Sequence, residues 1–450
     1  MKIRVARVVA FTVMQSVAVV AWCQCPLASL TELKNRYSIE QDKTDFCKAL
    51  QDRDIATSRA TVYKNSPIVG WQNQSSGFSQ FVRDKLTPLR KELEAASDAT
   101  VISVTKGQTD KWTFECIGDP PESKRPTYLL QSVNLVIDGR DDGNGMLQVF
   151  LLNFPHHWPW PQVGDSTAPM RVVWVFHGHK ANKEMLTGRN PELPEDRKAN
   201  EGRPLEGCLA GRLAAAGYSV LLYTDPTQEP NNAYGGKAAK GFERVMKDAV
   251  AVQRALLEPY SYEIDAVGLS GGAQRLFFLM PILKRLRSAY LAGYFSPNWV
   301  AEFTRNHGAA VCKPFDLCYD TDFERPALTT NYMLADLVAL ALSNDVRVAF
   351  ASNAREGARA HKVFLHHELV PMLLKTGKPF ELRGDDLTGN GKPINGGIQG
   401  KGLCHEYDTP DYLDFLKEVR GLDGKRWPNG YKRPDKAKST PLDQYCPPGK

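Results

Sequence analysis

The sequence predicts an α/β protein: a mostly parallel sheet with helices on both faces, opened by an antiparallel hairpin. Three observations predict it. Short, nearly continuous apolar runs recur along the chain, as in strands covered on both faces. Helical patterns stand between those runs, which is the order that crossover connections produce. A stretch of period-two alternation precedes them, folded around an Asn-Gly turn.

The elements follow in chain order. After Tyr128, Q-S-V-N-L-V-I-D alternates, D-D-G-N-G turns, and M-L-Q-V-F-L-L-N-F returns, which makes the hairpin. R-V-V-W-V-F at 171–176 is a buried strand that ends at His177-Gly178. Residues 205–216 read as a helix closed by Gly217, and 218–223 as the next strand. Residues 241–257 form an amphipathic helix, 264–269 a strand and 273–289 a helix. Two more strands are expected at 290–295 and 346–351, then a helix at 365–376, a strand at 379–383 and a last helix at 410–420. Upstream, 29–126 is polar and helix-leaning, with a three-four apolar spacing over 81–96 that Pro88 interrupts.

The resulting plan is a leader at 1–28, an accessory region at 29–126, an α/β unit at 127–420 and a basic Pro/Gly-rich tail at 421–450. Two insertions, 180–203 and 299–332, begin just after strands, on the edge where parallel sheets bind ligands. Lys2, Arg4 and Arg7 precede an apolar stretch from Val8 to Trp22, the pattern of an export signal. The expected location is therefore secreted or periplasmic, with an uncleaved signal anchor as the alternative. No later run is long enough for a stable membrane span once the signal is cleaved.

Composition narrows the function classes. Hydrophobic residues make up 42% and charged residues 24%, which excludes a disordered chain, a fibre and a multi-span membrane protein. A net charge of +6 over 450 residues is too small for a nucleic-acid footprint. Of the nine cysteines none forms a C-x-x-C pair, so no zinc cage and no metal is expected. Export permits disulfides, and Cys312 with Cys318, separated by five residues that include Pro314, is the expected pair.

The chemistry centres on Gly268-Leu269-Ser270-Gly271-Gly272, a G-x-S-x-G string. An apolar strand runs into it and an apolar helix leaves it. A turn this tight needs small residues two positions either side of the serine, so that the hydroxyl stands clear at a helix N-terminus. With this elbow the sequence resembles the α/β-hydrolase superfamily over about 128–420, including the hairpin, the strand ending in H-G and a late His before the last helix. Within it the chain looks most like secreted single-domain esterases of the polyhydroxyalkanoate depolymerase and feruloyl esterase type. The tannase-like branch pairs a cysteine beside the serine with one beside the histidine. Cys404 precedes His405, but Leu269 and Gly271 flank Ser270, which sets that branch aside.

The resemblance implies the order serine, acid, histidine. His405 lies in a loop between the last strand and the last helix, where a general base must hang. His361, His366 and His367 fall in a helical pattern instead. Glu356 follows the strand at 346–351 and is the expected acid; Asp385 and Asp386, after the next strand, are the rivals. Asp265 sits toward the opposite sheet edge. Gly271 and either His179 or Lys180 should supply oxyanion-hole amides. Asp225, Tyr234, Asn298 and Trp299 lie in loops facing the site and are the expected substrate wall. His156-His157-Trp158-Pro159-Trp160-Pro161 falls on the other edge and reads as packing.

The expectation is an exported serine esterase acting on a small-molecule or polymeric ester, with no cofactor and no nucleic-acid partner. A secreted peptidase of the prolyl-oligopeptidase kind and a non-catalytic binding protein of the same fold are the alternatives.

Overall fold

The computed structural model describes residues 53–71, 77–113, 127–139, 145–154, 171–178, 183–187, 209–224, 238–269, 271–293, 326–351, 365, 369–383 and 409–421. The expected leader, the hairpin turn D-D-G-N-G except its last glycine, most of both insertions and the tail from 422 lie outside the described residues.

Among the described residues nine strands form one sheet: β1 (Val101–Thr113), β2 (Thr127–Ile137), β3 (Met146–Leu152), β4 (Arg171–Phe176), β5 (Ser219–Tyr223), β6 (Glu263–Leu269), β7 (Leu286–Ala292), β8 (Arg347–Ala351) and β9 (Glu381–Arg383). Their order is β1-β2-β3-β5-β4-β6-β7-β8-β9. The pairs β1–β2, β2–β3 and β3–β5 are antiparallel, and every pair from β5 to β9 is parallel. After β4 the chain steps to β5 on one side, then crosses to β6 on the other. The connection leaving β4 runs over one face, with Leu186 and Leu209, and the one leaving β6 over the other, with Ala273 and Leu276, which is the switch point beyond whose carboxyl ends parallel sheets bind ligands. This strand order, preceded by one extra edge strand, is the α/β-hydrolase architecture.

Period two assigns the faces. Val172, Trp174 and Phe176 of β4 belong to one apolar cluster, and Val173 and Val175 to the other. The first cluster is covered by α1 (Arg53–Asn65), α2 (Pro67–Gly70), α3 (Gly77–Phe81), α4 (Thr87–Ala96), α7 (Ala238–Val252), α8 (Gly271–Leu279), α10 (Leu334–Ser343) and α11 (Val370–Leu374). The short α9 (Pro326–Asn331) adds Leu328 to it. The second cluster is covered by α5 (Lys183–Thr187), α6 (Leu209–Ala215) and α12 (Thr409–Val419). Among the described residues no helix is long and apolar enough to cross a membrane.

Several elements differ from the sequence expectation for identifiable reasons. The helix expected over 273–289 ends at Leu279, because Pro281 cannot continue it, and β7 begins at Leu286, four residues early. Residues 101–113, inside the helix-leaning region, form the long edge strand β1, rich in Val and Thr. The helix α10 shows no amphipathic period, because all residues from Leu334 to Leu342 are buried. Pro88 does not break the chain: a π turn at Val82–Leu86 separates α3 from α4, and Pro88 falls in the first turn of α4.

The short helix α2 is fastened to α10 by a buried carboxylate. Asp336, in the first turn of α10, accepts from Ser66 Oγ at 2.6 Å, from the Ile68 amide at 2.9 Å and from the Met333 amide at 2.8 Å. On the other side of the same short helix, Lys375 Nζ donates to the Ile68 and Val69 carbonyls. Burial pushes the Asp336 carboxyl up to about 6, against hydrogen bonds from Ser66, Met333 and Ile68 that pull it down. Its folded value thus lies above the unfolded one of 3.8, so its contribution to stability falls as pH rises from about 4 to about 6. Asp336→Asn should therefore gain on wild type by up to about 3 kcal/mol between pH 4 and pH 7. Urea melts of both proteins at several pH values measure this; a pH-independent difference contradicts it.

Candidate active site

The switch point is built on a single-residue join. β6 ends at Leu269 and α8 begins at Gly271, so Ser270 alone connects strand to helix. The backbone on either side has no room for side chains. A Cβ on Gly268 would stand 2.5 Å from the Gly272 carbonyl oxygen. A Cβ on Gly272 would stand 2.1 Å from the Phe176 carbonyl oxygen and 2.8 Å from that of His177. The first turn of α8 is therefore seated directly on the end of β4. This close approach is why the string needs glycine two residues before and two residues after the serine. Gly271 is buried at the start of the nine-residue α8. Its amide belongs to the first helical turn, whose N–H groups have no partner within the helix and carry the positive end of the dipole.

The end of β4 is held in the same place by side chains. His177 is buried, and its Nδ1 lies 2.8 Å from the Gly178 carbonyl oxygen. Arg275, buried on α8, donates from Nη1 to the His177 carbonyl at 3.4 Å. Sequence reasoning did not single out Arg275. A buried arginine four residues into a helix looks like any surface cation until the helix is known to be covered on all sides.

All six parallel strands end on this edge, at Phe176, Tyr223, Leu269, Ala292, Ala351 and Arg383. Of the expected site residues, Gly271 is described and stands at the join. Ser270, His405, Glu356, His179, Lys180, Asp225, Tyr234, Asn298 and Trp299 lie outside the described residues, as do Asp385, Asp386, Cys312 and Cys318. Among the described residues no group of three His, Cys, Asp or Glu is placed to hold a metal.

The opposite edge is closed by charge. Asp265, fully buried near the start of β6, accepts from Arg171 Nη2 at 2.8 Å, Ser288 Oγ at 2.7 Å and Arg420 Nε at 2.8 Å. Arg420 lies over the Tyr218 ring at 4.7 Å. Burial, ahead of the neighbouring charges, pushes the Tyr218 phenol up to about 12. Asp265 thus ties three strand starts to the end of α12, far along β6 from Ser270.

No protein-family model and no curated protein matches the chain. Among solved structures it is similar to a putative acetyl xylan esterase from Bacteroides fragilis, at 13% identity over 82% of this chain and 94% of that one, with a TM-score of 0.48. It is similar to a methylesterase at 14% identity over 87% of this chain and 72% of that one, with a TM-score of 0.49. It is also similar to a glucuronoyl esterase from Teredinibacter turnerae at 12% identity, over 81% and 90%, with a TM-score of 0.43. The strand order and the elbow define the architecture without these likenesses.

The glycine contacts make a direct expectation. Gly272→Ala forces a methyl into the β4 carbonyls and should destabilise the protein by at least 1–3 kcal/mol, the usual cost of overpacking. Gly70→Ala, where an added Cβ meets nothing within 4 Å, should be neutral or stabilising. Thermal melts of the two variants check this; equal melts for both would contradict the elbow contact.

Proposed function

We propose that the protein is an exported serine hydrolase that cleaves carboxylic esters through an acyl-enzyme on Ser270. The observation that carries this reading is the strand-to-helix join, packed so tightly through Gly268 and Gly272 that its geometry serves little purpose except to present one residue at the switch point. Strand order supports it. β8 feeds the segment holding Glu356 and β9 the segment holding His405, and both leave from the edge where β6 delivers Ser270.

In this reading Ser270 Oγ attacks the acyl carbon while His405 takes its proton. Gly271 and the residues after the H-G turn, His179 or Lys180, stabilise the negative oxygen of the tetrahedral intermediate with amide donors. His405 returns the proton to the leaving alcohol. Water, giving a proton to His405, then attacks the acyl carbon; the bond to Ser270 Oγ breaks, His405 returns the proton to that oxygen, and the acid is freed. Glu356 orients the imidazole and stabilises its cation. Asp225, Tyr234, Asn298 and Trp299 form the substrate wall, and a Cys312–Cys318 disulfide shapes the insertion above it. Export rests on the basic and apolar N-terminal pattern.

Ser270→Ala should abolish fluorophosphonate labelling and turnover of p-nitrophenyl esters while leaving the melt nearly unchanged. Residual hydrolysis within a few fold of wild type would remove Ser270 as nucleophile, and turnover of aminoacyl anilides in place of esters would make the protein a peptidase. Glu356→Gln should lower kcat by about 10²–10⁴-fold, as for a triad carboxylate. Asp385→Asn and Asp386→Asn should cost far less; the reverse pattern moves the acid one strand along. Peptide mapping without reductant should find Cys312 and Cys318 joined, and either thiol free would contradict that pairing.

A further inference from the structure

Asp411 stands in the first turn of α12, six residues past His405. It is 3% exposed. Its Oδ2 accepts from the Tyr290 hydroxyl at 2.6 Å. Arg383 Nε donates to Oδ1 and Oδ2 at 3.2 and 3.3 Å. Tyr290 belongs to β7, fully buried, with its ring against Tyr412 at 5.0 Å and Phe415 at 5.5 Å. Arg383 is the last residue of β9. It also bonds Glu381 at 2.7 Å and Glu418 at 3.0 Å, and lies over the Phe415 ring at 5.4 Å. Arg347 of β8 joins the same carboxylates, Glu381 and Glu418. One ionic knot therefore gathers β7, β8, β9 and α12.

The apolar face of α12, with Tyr412, Leu413, Phe415 and Leu416 all fully buried, would hold the helix to the sheet without this knot. Apolar burial is non-directional, however, and it does not by itself fix where a helix sits along its axis. A carboxylate bonded from two different strands does. A slide of one residue, about 1.5 Å, would break these bonds and leave a buried charge without its partners. The knot sits where such a slide matters. β7 lies beside β6, which delivers Ser270, and β8 and β9 feed the segments of Glu356 and His405.

We propose that Asp411, held by Tyr290 and Arg383, is a positioning residue that fixes the start of α12 and, through it, the loop that brings His405 to Ser270. The proposal rests on the serine-hydrolase reading above. Asp411 does not touch the reacting atoms; its effect is on alignment, where a displacement of about 1 Å can cost on the order of 10²-fold in rate.

The test compares full-length Tyr290→Phe, Asp411→Asn and Glu418→Gln with wild type. Tyr290→Phe keeps the ring packing and removes one hydroxyl, so it remains informative if Asp411→Asn folds poorly. Glu418, 39% exposed at the outer end of the knot, is the control. Each protein is assayed on p-nitrophenyl acetate well below its own melting temperature, and its rate of fluorophosphonate labelling is measured. Tyr290→Phe and Asp411→Asn should lower kcat roughly 10-fold or more, with KM within about two-fold, and slow labelling in proportion. Glu418→Gln should stay within about two-fold in kcat. A Tyr290→Phe variant that melts lower yet keeps wild-type kcat overturns the positioning role alone, as does a Glu418→Gln variant equally impaired. A wild-type chain that neither labels nor turns over ester overturns the serine reading, and the positioning role with it.

Discussion

The structure depends on one steric constraint: the first turn of α8 touches the last carbonyls of β4 with no side chain between them. Gly272 lies against the Phe176 and His177 carbonyls, and Gly268 lies under the Gly272 carbonyl. Two backbones this close leave no room for a side chain at either glycine. The contact therefore fixes the helix over the strand pair β4–β6 at the point where winding reverses. Arg275, reaching from α8 to the His177 carbonyl, adds a directional bond to the same join. The neighbouring strands take their positions from this pair through parallel ladders, so the edge that carries the loops is set from its centre outward.

Buried aspartates do the equivalent work elsewhere, and each ties segments far apart in sequence. Asp265 joins β4, β6 and β7 to the end of α12. Asp336 joins α10 to the segment around Ser66 and Ile68. Asp411 joins α12 to β7 and β9. A buried charge is expensive to desolvate, and apolar residues of the same volume often serve stability as well. What the charges add is direction. Each satisfies several donors at once, drawn from segments far apart in the chain.

Much of this scaffold is legible in sequence, for physical reasons that also mark the limit. β4 and β6 read clearly because a strand covered on both faces must be apolar at nearly every position. The elbow reads because the backbone contact admits only glycine at 268 and 272. The helix α10 does not read, because burial on all sides erases the period that identifies a helix. The edge strand β1 does not read, because nearly all of its positions are exposed, Ile102 and Val104 included, so no apolar-polar alternation marks a buried face. Asp336 and Asp411 are invisible for a different reason. Each sits in the first turn of a helix, where an acidic residue is ordinary whether it faces water or a buried hydroxyl. Only the partners distinguish the two cases, and Ser66 and Tyr290 are 270 and 121 residues away.

The two edges of the sheet are built on opposite principles. At the amino ends of the parallel strands, side chains close the edge: Arg171, Asp265, Ser288 and Arg420 form a bonded cluster, and Glu263 links Arg171 to Arg287. At the carboxyl ends the fixed features of β4 and β6 are largely backbone: carbonyls of β4, glycines on either side of residue 270 and the first amides of α8. Backbone groups define a surface of dipoles without filling the space above it. The carboxyl edge is thus set by backbone contacts, while the amino edge is tied by side-chain charges. Asp411 lies between the two regimes, a buried charge placed toward the carboxyl edge. There a side-chain pin positions a helix start without occupying the switch point itself.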